Sequence, residues 1–235
     1  MATAAQVEAF RGGLTSLLEL ARRDLLLVWN SLDYSDARAV RAVLEASFPD
    51  LVQTYGSTAA LLAADFYDEL RGVAPTAQRF RTVMAEDVNV EQVQAKARWA
   101  IGPLFGVADP AQALENLTLG TDHLVKQFSR DTIAKNAAKD PSRAQYARVP
   151  GGRDTCAFCL MLASRGAVYG SSAAAGEMNK YHGKCDCVPT PVWSNDDLPE
   201  GYDPEALYDQ YASVHEAGMT ATETTAALRQ AYDIK

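Results

Sequence analysis

"VEAFRGGLTSLLELARRDLLLVWNSL", Val7 to Leu32, decides the fold class. Val7, Phe10, Leu14, Leu17, Ala21, Leu25, Val28 and Leu32 recur at steps of three or four. That spacing lays one apolar stripe along a helix with a period near 3.6 residues. Gly12 and Gly13 weaken its first third by about 1 kcal/mol each relative to alanine. The stripe predicts one helix over roughly the first 34 residues. A continuous stripe of this kind can pair with a partner helix as readily as with its own core.

Outward from this helix the pattern repeats. Asp33 or Ser35 reads as the N-cap of a second helix running to about Ser47, with Pro49 as its break. Leu51, Tyr55, Ala59, Leu62, Phe66 and Leu70 share one face of a third, stopped by the glycine and proline of "RGVAP". Asn89 or a neighbour starts a helix through about Ile101, ended by Gly102-Pro103. Asp109-Pro110 caps another that reaches about Ala138, with Gly120 a candidate interruption. Residues 1–140 therefore form a helical domain, as a bundle or an extended helical array, without strand signals.

The texture changes at "DPSRAQYARVPGGRDT" (Asp140 to Thr155), whose prolines and glycines mark a linker or turn. "AFCLMLASRG" predicts a short apolar helix, and "GAVYGS" a short strand. "VPTPVW" (Val188 to Trp193) is extended, because proline pushes its predecessor toward β geometry. Two closing helices follow, Pro204 to Ala217 and about Thr220 to Tyr232. The division expected is a helical domain 1–140, a Cys/His module 148–193 and an acidic helical tail 194–235. The fold class is mainly α, with a small C-terminal α+β, zinc-knuckle-like module.

The chain has 235 residues, 48% hydrophobic and 22% charged, as in ordinary soluble globular proteins. No apolar run approaches the ~20 residues that cross a bilayer. "MATAAQVEAF" lacks a basic segment followed by an apolar core, so no secretory signal is expected. Both point to folding in a reducing cytoplasm and to no membrane partner. The formal charge of −8 argues against a general nucleic-acid coat, but it is uneven. Residues 126–153 carry seven Lys/Arg against Asp131 and Asp140, while 195–235 carry nine acids against Arg229 and Lys235. Such asymmetry can steer a chain onto an oppositely charged partner, or simply make two solvated faces.

All four cysteines fall in "TCAFCLMLASRGAVYGSSAAAGEMNKYHGKCDC", Thr155 to Cys187. Cys156 and Cys159 form a C-x-x-C; Cys185 and Cys187 form a C-x-C three residues after His182. Zinc takes four soft or borderline ligands at tetrahedral corners, and thiolates select it over hard cations. Cys156 and Cys159 are the firmest candidates; the other two positions fall to two of His182, Cys185 and Cys187. Four cysteines, or three with the histidine, are both chemically sensible, and His182 could instead hydrogen-bond a ligand sulfur. The alternatives are reduced thiols packed as small apolar groups, or a disulfide formed in an oxidising medium. A unit this small needs a metal crosslink, or docking on the helices, to hold it.

The stretch "RVPGGRDTCAFCLMLASRGAVYGSS…YHGKCDCVPTPVW" (Arg148 to Trp193) resembles the C-terminal signature of the phage Mu F-like head-morphogenesis family of tailed-phage minor head proteins. The version carried by phages of actinobacteria is the most similar. The family's C-x-x-C, glycine-containing turn, histidine and C-x-C fall on Cys156, Cys159, Gly166, His182, Cys185 and Cys187. Many members have proline after the histidine, where this chain has Gly183. The resemblance implies a structural minor capsid protein in the capsid interior, present in the host cytoplasm during assembly. Its implied partners are the portal and the major capsid or scaffold proteins, with packaged DNA a further candidate.

Some members of that family are labelled capsid maturation proteases, the rival function. A cysteine protease needs a histidine beside its thiolate, which His182 with Cys156 or Cys159 could supply. A serine triad could draw on Ser164, Ser171 or Ser172 with His182 and Asp154 or Asp186, yet no G-x-S-x-G is present. A catalytic zinc needs an acid such as Glu177, and no H-E-x-x-H exists. His123 and His215 show no ligand partner in sequence. For DNA, Lys126, Arg130, Lys135, Lys139 and Arg143 recur every four or five residues, either a phosphate-contacting stripe or a solvated helix face.

Overall fold

Thr3 starts the first helix with a capping box: its side chain accepts from the Gln6 N–H, and Gln6 reaches back to the Thr3 N–H. We describe residues 1–76, 78–85, 87–151, 155–170, 185–194 and 196–234 of a computed structural model. Helix α1 spans Ala4–Asn30 and buries Val7, Phe10, Leu14, Leu17, Leu18, Ala21, Leu25 and Trp29. Its stripe faces the molecule's own core. Phe10 stacks on Phe66 of the next helix, ring centroids 4.4 Å apart.

That next helix, α2, is Ala37–Val73, capped by Asp36. It corrects the expectation of two helices broken at Pro49, because Pro49 lies inside one continuous helix. A proline there removes the N–H that would bond the Glu45 carbonyl. Gln94 restores the missing donor: its Nε2 gives a hydrogen bond to the Glu45 carbonyl at 3.0 Å.

Helix α3 (Val90–Ala100), capped by Asn89, leads through a 3₁₀ turn (Gly102–Leu104) to α4 (Pro110–Lys139), capped by Asp109. Gly120 does not interrupt α4. The face of α2 toward α4 is small: Gly56, Ala59, Ala60 and Ala63 are buried there. A Cβ on Gly56 would stand 2.5 Å from the Phe128 ring, so the close approach of these helices requires glycine.

Two strands cross the end of this helical body. β1 is Gln145–Val149 and β2 is Val188–Val192, antiparallel, with Gln145 opposite Val192 and Val149 opposite Val188. The first lies inside the stretch expected to be a linker or turn. Tyr146, opposite Pro191, turns its N–H away from β2 to the Tyr169 carbonyl at 2.9 Å. Proline, which has no N–H to give, is accommodated at that position of the ladder. Tyr169 makes this isolated bridge rather than the short strand expected over Gly166–Ser171, whose last residue lies outside the described set.

Helix α5 (Ala157–Ala163) lies between the strands in sequence; α6 (Pro204–Ala212) and α7 (Ala221–Tyr232) close the chain. Leu160, Met161 and Leu162 of α5 pack with Leu228 of α7. One apolar cluster runs from Ala2 through the long helices to Tyr146, Val188, Val192 and Tyr202. The strands therefore share the helical core. Asp140, just past α4, ties the layers together. It accepts from Arg71 Nε (2.8 Å), Tyr67 OH (3.0 Å), Trp193 Nε1 (3.1 Å) and the Ser142 N–H (2.8 Å). The described residues are mainly α, and none of their helices is long and apolar enough to cross a membrane.

Candidate metal centre

Cys156 caps α5: its sulfur accepts from the Cys159 N–H at 3.3 Å, the half-turn that sets two cysteines on one side of a helix start. Cys185 and Cys187 precede β2, whose pairing with β1 fixes where they stand. The two pairs meet. Cys159 Sγ lies 2.8 Å from Cys185 Sγ and 3.4 Å from Cys187 Sγ, and the last two are 3.3 Å apart. Cys156 joins them in one cluster, with Phe158 packed against it. All four are thiols outside any disulfide and are buried, at 6%, 0%, 1% and 3% exposure in chain order.

The thiols are electrically unequal. Hydrogen bonds from Cys156, Cys159 and Cys187 pull Cys185 far down, toward the thiolate, with Arg130 adding to the effect. Hydrogen bonding to its three neighbours, then burial, pushes Cys159 far up. The Cys159 hydrogen bond lowers Cys187, but the bond to Cys185 and burial outweigh it and push the thiol up to about 12. Cys156 is likewise raised: its bond to Cys159 opposes the shift, while Cys185 and burial drive it.

Such a donor set fits a soft metal ion. Four thiols cluster with no carboxylate among them in the described residues, and three of their sulfurs lie within 4.8 Å of one another. A Zn–S bond of ~2.3 Å implies sulfurs about 3.8 Å apart in a tetrahedron. Here they stand at 2.8–3.4 Å, so an ion would need the ring to open by under about 1 Å. His182, the fifth candidate, lies outside the described residues, as do Asp154, Ser171, Ser172 and Glu177. Ser164 is buried and donates to the Met161 carbonyl at 2.9 Å.

Two long helices hold the C-x-C backbone. Arg11 of α1 donates from Nη1 to the Asp186 carbonyl and from Nη2 to the carbonyls of Val149 (3.3 Å) and Pro150 (3.0 Å). Lys126 of α4 donates from Nζ to the Cys185 carbonyl at 3.1 Å. Burial, then the neighbouring Arg130, lowers the Lys126 ammonium from its ordinary value. Asp186 Oδ2 accepts from the Gly151 N–H (3.0 Å) and Thr155 Oγ1 (3.3 Å). A Cβ on Gly151 would fall 2.7 Å from that oxygen and 2.9 Å from Arg11 Nη1, so a side chain there would have to displace the Asp186 carboxylate and the Arg11 guanidinium. A cleft with about 130 Å³ of water-accessible space opens here, lined by Arg11, Lys126, Arg130, Asp186 and the two C-x-C sulfur residues. Sequence reading had no access to Arg11, which looks like an ordinary polar position of an amphipathic helix.

Of the five cations expected on one helical stripe, Lys126, Arg130, Lys135 and Lys139 lie on α4 and Arg143 lies past its end at φ 58°, and they do not share one exposure. Arg130 is buried at 3%, Lys126 is held on Cys185, Lys135 is half-buried, and Lys139 and Arg143 are exposed. His215 Nδ1 pairs with Thr224 Oγ1 at 2.9 Å in the closing helices, and His123 lies half-buried on α4.

Residues 1–214 match the family described as VG15 protein. The chain is similar to the "Gene 15 protein" of Mycobacterium phage L5, 28% identical over 200 residues, which are 67% of this chain and 66% of that protein. It is similar to the "Gene 15 protein" of Mycobacterium phage D29 at 28% over 192 residues, 67% of this chain and 68% of that one. The chain thus spans about two thirds of the length of these relatives. No solved structure matches. The chain belongs to the VG15 protein family, a family of phage proteins.

Proposed function

We propose that this VG15-family chain is a structural minor capsid protein of the Mu F-like head-morphogenesis kind, positioned against the portal and the capsid interior during head assembly. Kinship with mycobacteriophage proteins carries the reading, together with a thiol cluster built as a crosslink. Its work is recruitment and positioning, without turnover. In this reading the cysteines hold a structural zinc ion that fastens the strand module to the helical body. Buried thiols bridged to one another suit coordination better than nucleophilic attack, which needs an accessible thiolate beside a base.

The test is location and inertness. Cross-linking and mass spectrometry of intact particles should place the chain beside the portal or the inner shell. Incubation with the major capsid and scaffold proteins should leave both uncut. Specific cleavage lost in His182→Ala would replace this reading with a maturation protease.

A further inference from the structure

The cysteines stand closer together than an ion would leave them. Cys159 Sγ and Cys185 Sγ are the nearest pair at 2.8 Å, against 3.3 Å and 3.4 Å for the contacts of Cys187 Sγ. A disulfide bond is about 2.05 Å long, so the nearest pair has under about 1 Å to close. A tetrahedral zinc ion would instead spread the same two sulfurs to about 3.8 Å. The metal-free cluster is therefore set for a bond that the ion prevents. The pair also spans the right elements. Cys159 lies on α5 and Cys185 precedes β2, so a bond between them joins what the ion would join.

An oxidant must reach one of the two sulfurs. The cleft beside Arg11 and Lys126 holds about 130 Å³ of water-accessible space, and of the four cysteines it is Cys185 and Cys187 that line it. Hydrogen peroxide, little larger than water, fits where water fits. We propose that Cys159 and Cys185 are a redox pair: in the metal-free chain, peroxide entering the cleft converts them to a disulfide that keeps α5 fastened to the β2 side once the ion is gone. The Cys185 sulfur attacks one peroxide oxygen and the O–O bond breaks. The other oxygen leaves with the thiol proton as water, and Cys185 becomes a sulfenic acid. The Cys159 sulfur then attacks the Cys185 sulfur. An S–S bond forms as the S–O bond breaks, and the hydroxyl leaves with the Cys159 proton as a second water. Two thiols are oxidised by two electrons, and one peroxide is reduced by two. This inference rests on the reading of the cluster as a crosslink and gives that crosslink a second, metal-free form.

The full chain, stripped of zinc under reductant and then cleared of reductant and chelator, is treated with equimolar hydrogen peroxide, alkylated and mapped by mass spectrometry. The bridge should join Cys159 to Cys185, leave Cys156 and Cys187 alkylated, and reverse with dithiothreitol. It should persist in Cys187→Ser, whose remaining cleft-lining sulfur is that of Cys185. In the zinc-loaded chain it should be lost. Bridges that leave out Cys159 or Cys185, or sulfinic acids without any bridge, in a chain that still takes up zinc would overturn the redox pair while leaving the metal reading in place. Loss of the bridge in Cys187→Ser, with that variant folded by circular dichroism, would overturn Cys185 as the sulfur attacked. A chain that takes up no zinc yet bridges Cys159 to Cys185 would end the metal reading and leave the redox pair standing.

Discussion

Glu45 carries a backbone carbonyl that its own helix cannot satisfy, because Pro49 has no N–H to offer. Gln94, on another helix, supplies the donor. Gln94→Ala should therefore cost about 1 kcal/mol, the net worth of an ordinary hydrogen bond. In a Pro49→Ala background the helix regains its own N–H, and the same Gln94 change should become nearly neutral. Urea denaturation of the four proteins in a double-mutant cycle reads this coupling, and equal costs in both backgrounds would show that Gln94 has no such role. Gly56 is the second decisive residue. Its missing Cβ makes room for the Phe128 ring, so Gly56→Ala should destabilise by about 1–3 kcal/mol through overpacking. Phe128→Leu in the same chain should return part of that loss, measured as the urea midpoint.

At the scale of elements, the helices were legible because their burial is local and periodic. The caps at Asp109 and Asn89, the start of the last helix near Thr220 and the α1 stripe from Val7 to Leu25 stand in the sequence as they stand in the structure, while beyond Leu25 the fully buried residue is Trp29 and the helix ends at Asn30. The break expected at Pro49 failed because the remedy, Gln94, lies on another helix. β1 was missed because it is short and flanked by turn residues, and its partner lies about forty residues on. The meeting of the two cysteine pairs was legible from their spacing. The clamps from Arg11 and Lys126 were not, since only the tertiary fold brings residues 11, 126 and 185 together.

Asp140 is the hub where those elements join. Burial pushes its carboxyl up, but hydrogen bonds from Arg71, Ser142, Trp193 and Tyr67 outweigh it and hold the group below its ordinary value. A depressed carboxyl contributes stability that is fully present above the unfolded value near ~3.9 and is lost as pH falls through the folded one. Wild type should thus lose stability below about pH 4 more steeply than Asp140→Asn, while the variant is the less stable of the two at pH 7. Urea midpoints collected between neutral and acid pH give both slopes, and parallel slopes would remove Asp140 from the acid response.

For the whole molecule, the question is whether the cysteine cluster stabilises a part or the entire chain. The main apolar cluster contains Val7, Phe10 and Leu14 of α1 together with Tyr146, Val188 and Val192 of the strands. Arg11 and Lys126 reach from the long helices to the loop that carries Cys185. Loosening that loop therefore exposes surface belonging to the same core, and the loss has no boundary at which to stop. An ion bound to the native state alone adds RT ln(1 + [L]/Kd), about 2.7 kcal/mol at a hundredfold excess over Kd. Chelation should remove that increment from one shared transition. Calorimetry of the zinc-loaded chain with and without chelator should then show a single peak that moves down and stays single. A low-temperature peak splitting off after chelation, with the main peak unmoved, would mean that the strand module melts by itself and that the shared core does not couple it to the helices.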